Sequence, residues 1–168
     1  ITWKGKHDQA RRIALALENV AGLRLTVVAS HPEPEMDTSP GTWQFLPDAQ
    51  FFGPKFAAAL AATRTEEILL LIHADTDFAD WPRLVARCGQ AFDSVPDLAL
   101  WAPDFTWTPY PLAVARLPGA VAQGEDGALI PVVQTDGIVL ALAPETQARL
   151  RALDCAGINL ACAHHRGA

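Results

Sequence analysis

Apolar residues recur at three- and four-residue steps between Lys6 and Val20, where Ala10, Ile13, Ala14, Leu17 and Val20 share one face. That spacing predicts a helix, with Gly22 as its stop. From Leu23 to Ala29 the period changes, and Leu23, Leu25, Val27 and Val28 leave little polar surface. A strand covered on both faces reads this way. A proline-rich acidic loop, His31 to Gly41, follows, then a short strand from Trp43 to Leu46 that Pro47 ends. Pro54 to Thr63 is an alanine-rich helix with its proline where a first turn tolerates one. Glu67 to His73 is apolar almost throughout and predicts the central strand. Trp81 to Phe92 is helical and Asp97 to Ala102 extended.

Regularity fails from Pro103 to Pro131, a stretch punctuated by Pro109, Pro111, Pro118, Gly119, Gly124 and Gly127. A run of this length without periodicity predicts a functional loop or lid. Strand character resumes at Ile130 and is strongest from Gly137 to Ala143; Pro144 opens a helix to Leu153, and Gly157 to His165 is a last helical piece. Helices alternating with buried strands predict an α/β fold with three layers, a mainly parallel sheet carrying helices on both faces. In such sheets ligands bind at the carboxyl ends of the strands.

Composition narrows the function. The 168 residues suit one domain, which at this size buries roughly 70% of its unfolded surface. A net charge of −6 argues against a nucleic-acid partner, because phosphate backbones reward clustered Lys and Arg. Arg11-Arg12 reads as a solvated helix face. Cys88, Cys155 and Cys162 are too scattered for a zinc knuckle or a disulfide framework, so a reducing compartment is expected. No apolar run approaches the ~20 residues a bilayer requires. The expectation is a cytoplasmic protein, with a peripheral place at the inner membrane face left open. The first residue is Ile1 rather than Met, which suggests that terminal parts lie beyond the given chain.

The clearest chemistry follows the central strand, in His73-Ala74-Asp75-Thr76-Asp77-Phe78. Two carboxylates one residue apart at a strand end make a hard oxygen site for Mg²⁺ or Mn²⁺, completed by phosphate and water. In extended chain both would point one way, with Thr76 opposite. Asp at a strand end is also ordinary turn chemistry.

The run "FFGPKFAAALAATRTEEILLLIHADTDF" resembles the helix and metal-motif strand of inverting GT-A glycosyltransferases of the family 2 type. More loosely, "QTDGIVLALAPETQARL" is similar to their acceptor-side strand and helix. The resemblance implies a GT-A, nucleotide-diphospho-sugar transferase-like fold, with a nucleotide-binding half over residues 1–102 and an acceptor-side half over 103–168. It implies a nucleotide-diphosphate sugar as donor, a glycan, lipid or small-molecule hydroxyl as acceptor, and Mn²⁺ or Mg²⁺ on Asp75 and Asp77. Thr2, Trp3 and Lys4 then close the first strand beside the nucleotide, and Ser30 ends the second, where many relatives carry an Asp that reads uracil. Relatives often place their catalytic Asp where this chain has Gly157-Ile158-Asn159, and Asn159 is a poor base.

Asp136, before Gly137 on the acceptor side, is the candidate base in its place; a plain turn Asp is an equal reading. Trp107 and Tyr110 suit a sugar-stacking surface, and Trp101 suits the core. His73 reads first as a core histidine, ahead of a metal or phosphate contact, and His164 and His165 as an exposed helix end, ahead of a metal site that at most one of them could serve. Gly124-Glu125-Asp126-Gly127 reads as a surface turn. Two rival functions remain: a sugar-nucleotide nucleotidyltransferase, and a non-catalytic GT-A-like binding module.

Overall fold

The computed structural model describes residues 1–32, 36–103 and 138–153. Along them run α1 (His7–Leu17), β1 (Thr26–Ala29), β2 (Thr42–Phe45), α2 (Phe52–Ala62) and β3 (Leu69–Ile72). Then come α3 (Trp81–Ser94), β4 (Leu100–Trp101), β5 (Val139–Leu142) and α4 (Pro144–Arg151). The irregular stretch from Pro103 lies largely outside the described residues, as does the helical piece from Gly157.

The strands form two small sheets. β1 and β2 pair in parallel, Thr26 opposite Thr42 and Ala29 opposite Phe45. In the other sheet β5 lies between β3 and β4 and runs antiparallel to both, so β3 and β4 point the same way. Residues Ile1 and Thr2 join the two. The Ile1 nitrogen donates to the Ile72 carbonyl at 2.8 Å. Ala74 donates to the Ile1 carbonyl and Thr2 to the Val28 carbonyl, each at 2.9 Å. One residue bonded to two positions on its neighbour that are two apart is the signature of a parallel ladder.

Alternation along the strands sends side chains to opposite faces. On one face Ala10 and Ala14 of α1 pack with Val27 and Ala29, while Ile13 and Leu17 meet Trp81 and Leu84 of α3 and Val139. On the other, Ala59 of α2 packs with Val28 and Leu71, and Leu60 with Leu69, Leu142 and, from α4, Leu150. Helix α3 buries Trp81, Leu84, Cys88 and Ala91, the three- and four-residue spacing of one helical face. The Asp80 carboxylate accepts from the Arg83 amide at 3.0 Å and starts that helix.

The strands are shorter than their apolar runs. Leu23 and Leu25 lie outside β1, and Glu67, Ile68 and His73 outside β3, since ladder bonding and not hydrophobicity defines a strand. Glu67 is instead held in a turn by Arg24 and by the Arg64 amide; these bonds pull its carboxyl down to about 2.

Gln147 ties the second face together. It is fully buried, and its Nε2 donates to the carbonyls of Glu67 (2.7 Å) and Leu142 (3.0 Å). Its oxygen accepts from Arg151, which also donates to Leu60 and Thr63 and so satisfies the last carbonyls of α2. Below α1, a cavity of about 480 Å³ lies between β1 and β3, lined mostly by apolar side chains.

Replacing Gln147 by alanine removes the side-chain donor from the Glu67 and Leu142 carbonyls and leaves Arg151 without the Gln147 oxygen. Urea unfolding should show a loss of about 2–3 kcal/mol, against less than ~0.5 for the exposed Asn19→Ala. Burial pushes the Cys88 thiol up to about 12. In a C155S/C162S background, a thiol reagent at mildly alkaline pH should label Cys88 only as the protein unfolds.

Candidate functional site

The carboxyl ends of β1 and β3 and the segment Ile1–Lys4 meet at one edge of the joined sheets. Behind β3 the chain turns at once: the Thr76 amide donates to the His73 carbonyl at 3.1 Å, closing a turn through Ala74 and Asp75. The extended geometry expected for Asp75-Thr76-Asp77 is therefore interrupted. The outcome for the side chains is still alternating, since Asp75 and Asp77 are exposed and Thr76 is buried. Neither aspartate makes a hydrogen bond or ion pair with another described residue, so both carboxylates face water with their lone pairs open.

Across the Ala74–Ile1 bond sits a second group of residues. Trp3 meets the His73 ring edge-on, with centroids 5.8 Å apart, and Phe52 closes on His73 at 5.4 Å. His73 Nε2 is buried and finds no hydrogen-bond partner, as is true of Thr76 Oγ1. Burial first, then the Ile1 amino group, pushes His73 down to about 4, against an upward pull from Asp75. At neutral pH this histidine carries no charge, which suits a core position better than a phosphate contact.

Lys55 is the residue that sequence reasoning missed. It comes from α2, is only 1% exposed, and lies 4.2 Å above the Trp3 ring centroid. Its ammonium donates to Ser30 Oγ at 2.8 Å and to the Gln50 carbonyl at 3.2 Å. Hydroxyl, carbonyl and aromatic face together satisfy three N–H groups and let a charge sit inside. Burial holds its pKa below the usual lysine range, with Asp48 pulling the other way. The signal was available: Lys55 is the only charge in an otherwise apolar helix.

Ser30 is buried as well, and its carbonyl accepts from His7 Nε2 at 3.3 Å. Thr2 is fully buried within the bridge between the sheets. The turn after Trp3 is closed by the Lys6 amide on the Trp3 carbonyl at 3.0 Å, with Gly5 at φ +78°. Lys4, at the tip of that turn, forms an exposed ion pair with Asp48 at 3.7 Å, and the His31 amide also reaches Asp48. Thr2, Trp3, Lys4, Ser30, Asp75 and Asp77 thus share one edge, with Lys55 beneath them.

Other candidates lie elsewhere. Trp101 packs half-buried beside Trp81 and Leu84. Asp136, Trp107, Tyr110, Asn159, His164, His165 and the run Gly124–Gly127 lie outside the described residues. Among the described residues no third carboxylate, histidine or cysteine joins Asp75 and Asp77 in a metal-sized group. Where Mg²⁺ or Mn²⁺ is held in phosphate sites, the protein supplies one or two carboxylates, and substrate oxygens and water fill the other positions.

These roles separate in stability. Asp75→Asn and Asp77→Asn should each leave the urea midpoint within ~0.5 kcal/mol of the parent, because nothing folded depends on them. Lys55→Ala should lower stability by about 2–4 kcal/mol, since it strands Ser30 and the Gln50 carbonyl and opens a gap under Trp3.

No family model, curated protein or solved structure matches this chain.

Proposed function

We propose that this chain is a metal-dependent glycosyltransferase of the GT-A type, moving a sugar from a nucleotide-diphosphate donor to an acceptor hydroxyl with inversion. The observation that carries the reading is the pair of open carboxylates, Asp75 and Asp77, directly behind β3 and hydrogen-bonded through Ala74 to the Ile1–Lys4 segment. Supporting it is the strand sequence β2, β1, Ile1–Thr2, β3, β5, β4, with β5 alone reversed. Ligands of open α/β sheets collect at such a carboxyl edge.

On this reading the nucleotide lies along Thr2, Trp3 and Ser30, with the Lys4 ammonium near its phosphates. A divalent cation on Asp75 and Asp77 would supply charge neutralisation to the departing diphosphate. Asp136 takes the proton of the acceptor hydroxyl as that oxygen bonds to the anomeric carbon and the bond to the diphosphate breaks. Trp107 and Tyr110 offer stacking faces to the acceptor, and Asn159 cannot replace the base. No helix among the described residues is long and apolar enough to cross a membrane. The reading assumes a cytoplasmic compartment and is compatible with a peripheral place at the inner membrane face.

Uridine, guanosine, cytidine and thymidine diphosphates should be titrated with and without Mn²⁺ while the melting transition is followed. The matching nucleotide, at 100 times its dissociation constant, adds about 2.7 kcal/mol of stability. Binding should require Mn²⁺ and vanish in Asp77→Asn; Asp136→Asn should bind the donor yet turn it over at least ~100-fold more slowly. Absence of binding by every diphosphate overturns the proposal. Binding without turnover of any sugar donor leaves the non-catalytic module as the account.

A further inference from the structure

The cavity between β1 and β3 has the walls of a missing sheet position. Among the described strands β1 is bonded through β2 and β3 through β5. Their remaining edges line the cavity from opposite sides, with Leu25, Thr26 and Val27 on one and Leu69, Leu70 and Leu71 on the other. The carbonyls of Leu25 and Ala29 accept from the β2 side, so Thr26 and Val28 turn their backbone groups toward the cavity. The His73 amide bonds toward β5, which turns Leu70 and Ile72 the same way. At the carboxyl end these groups are already met, by Ile1 on Ile72 and Thr2 on Val28. Farther back, the two edges face each other across apolar space with no described residue bonded between them.

We propose that this slot seats a parallel β-strand of about five apolar residues that leads by a peptide bond into the nitrogen of Ile1. Direction and register follow from the existing ladder: continuing it backward from Ile1 brings the segment past Thr26 and Leu70, up to Leu23 and Ile68. Residue type follows from the walls. α1 lies over one face of the slot and Ala59 over the other, so both faces of the strand meet hydrocarbon and β-branched aliphatic residues fit.

The test compares the 168-residue chain with two forms extended before Ile1, one by Val-Thr-Val-Ile-Val and one by Gly-Ser-Gly-Ser-Gly. The apolar extension should raise the melting midpoint by roughly 5 °C or more and slow amide exchange at Thr26 and Leu70 at least tenfold. The glycine-serine form should do neither. Equal behaviour of the two extensions would overturn the proposal. So would stabilisation by the free Val-Thr-Val-Ile-Val peptide with none from the joined one. The readouts are independent of any sugar or nucleotide, so the proposal stands or falls apart from the glycosyltransferase reading.

Discussion

Three backbone hydrogen bonds made by Ile1 and Thr2 are the constraint on which the rest of the structure depends. Without them the described strands are a two-stranded ribbon and a three-stranded sheet, each too small to hold a core of its own. With them the strand ends line up at one edge, and α1 and α3 can cover one face while α2 and α4 cover the other. The same bonds set Trp3 beside His73 and bring the Asp75 turn next to the Ser30 end of β1. Fold and candidate site therefore share one physical cause.

The polar groups inside the molecule divide into two kinds. Gln147, Lys55 and Ser30 are buried and bonded, and each ties segments distant in sequence. Such groups stabilise because their partners would otherwise be stranded without water. Asp75 and Asp77 are the opposite case: exposed, without a hydrogen bond or ion pair to another described residue, and held at the end of a strand packed on both sides. Exposed charges on a fixed scaffold are free to meet a ligand. The orphaned His73 Nε2 and Thr76 Oγ1 lie in the same turn.

Much of the element order was legible from periodicity. The helical spacing of Ala10, Ile13, Ala14 and Leu17 became the buried face of α1, and the alanine-rich run became α2. Ends were less legible, because Leu23 and Ile68 look like strand in composition but lack a neighbour to bond. The reversed direction of β5 left no trace in its apolar pattern, since a strand buried on both faces reads alike either way. At the site, Asp75 and Asp77 stood out because two carboxylates one residue apart after an apolar run make a hard oxygen site. The turn through Ala74 did not, since nothing in those residue types forces it. Lys55 was missed because a lone lysine normally reaches solvent; only the hydroxyl of Ser30 and the ring of Trp3, both far away in sequence, make its burial tolerable.

The central claim, that the carboxyl edge of this sheet binds a metal with a nucleotide diphosphate, is tested most directly by paramagnetic broadening. Mn²⁺ would be added to isotope-labelled protein with and without the preferred diphosphate, and amide and indole signals recorded. The account predicts that signals of Asp75, Thr76, Asp77 and the Trp3 indole broaden first, and more strongly when the nucleotide is present. Broadening centred elsewhere, or the same at this edge with and without nucleotide, would contradict it.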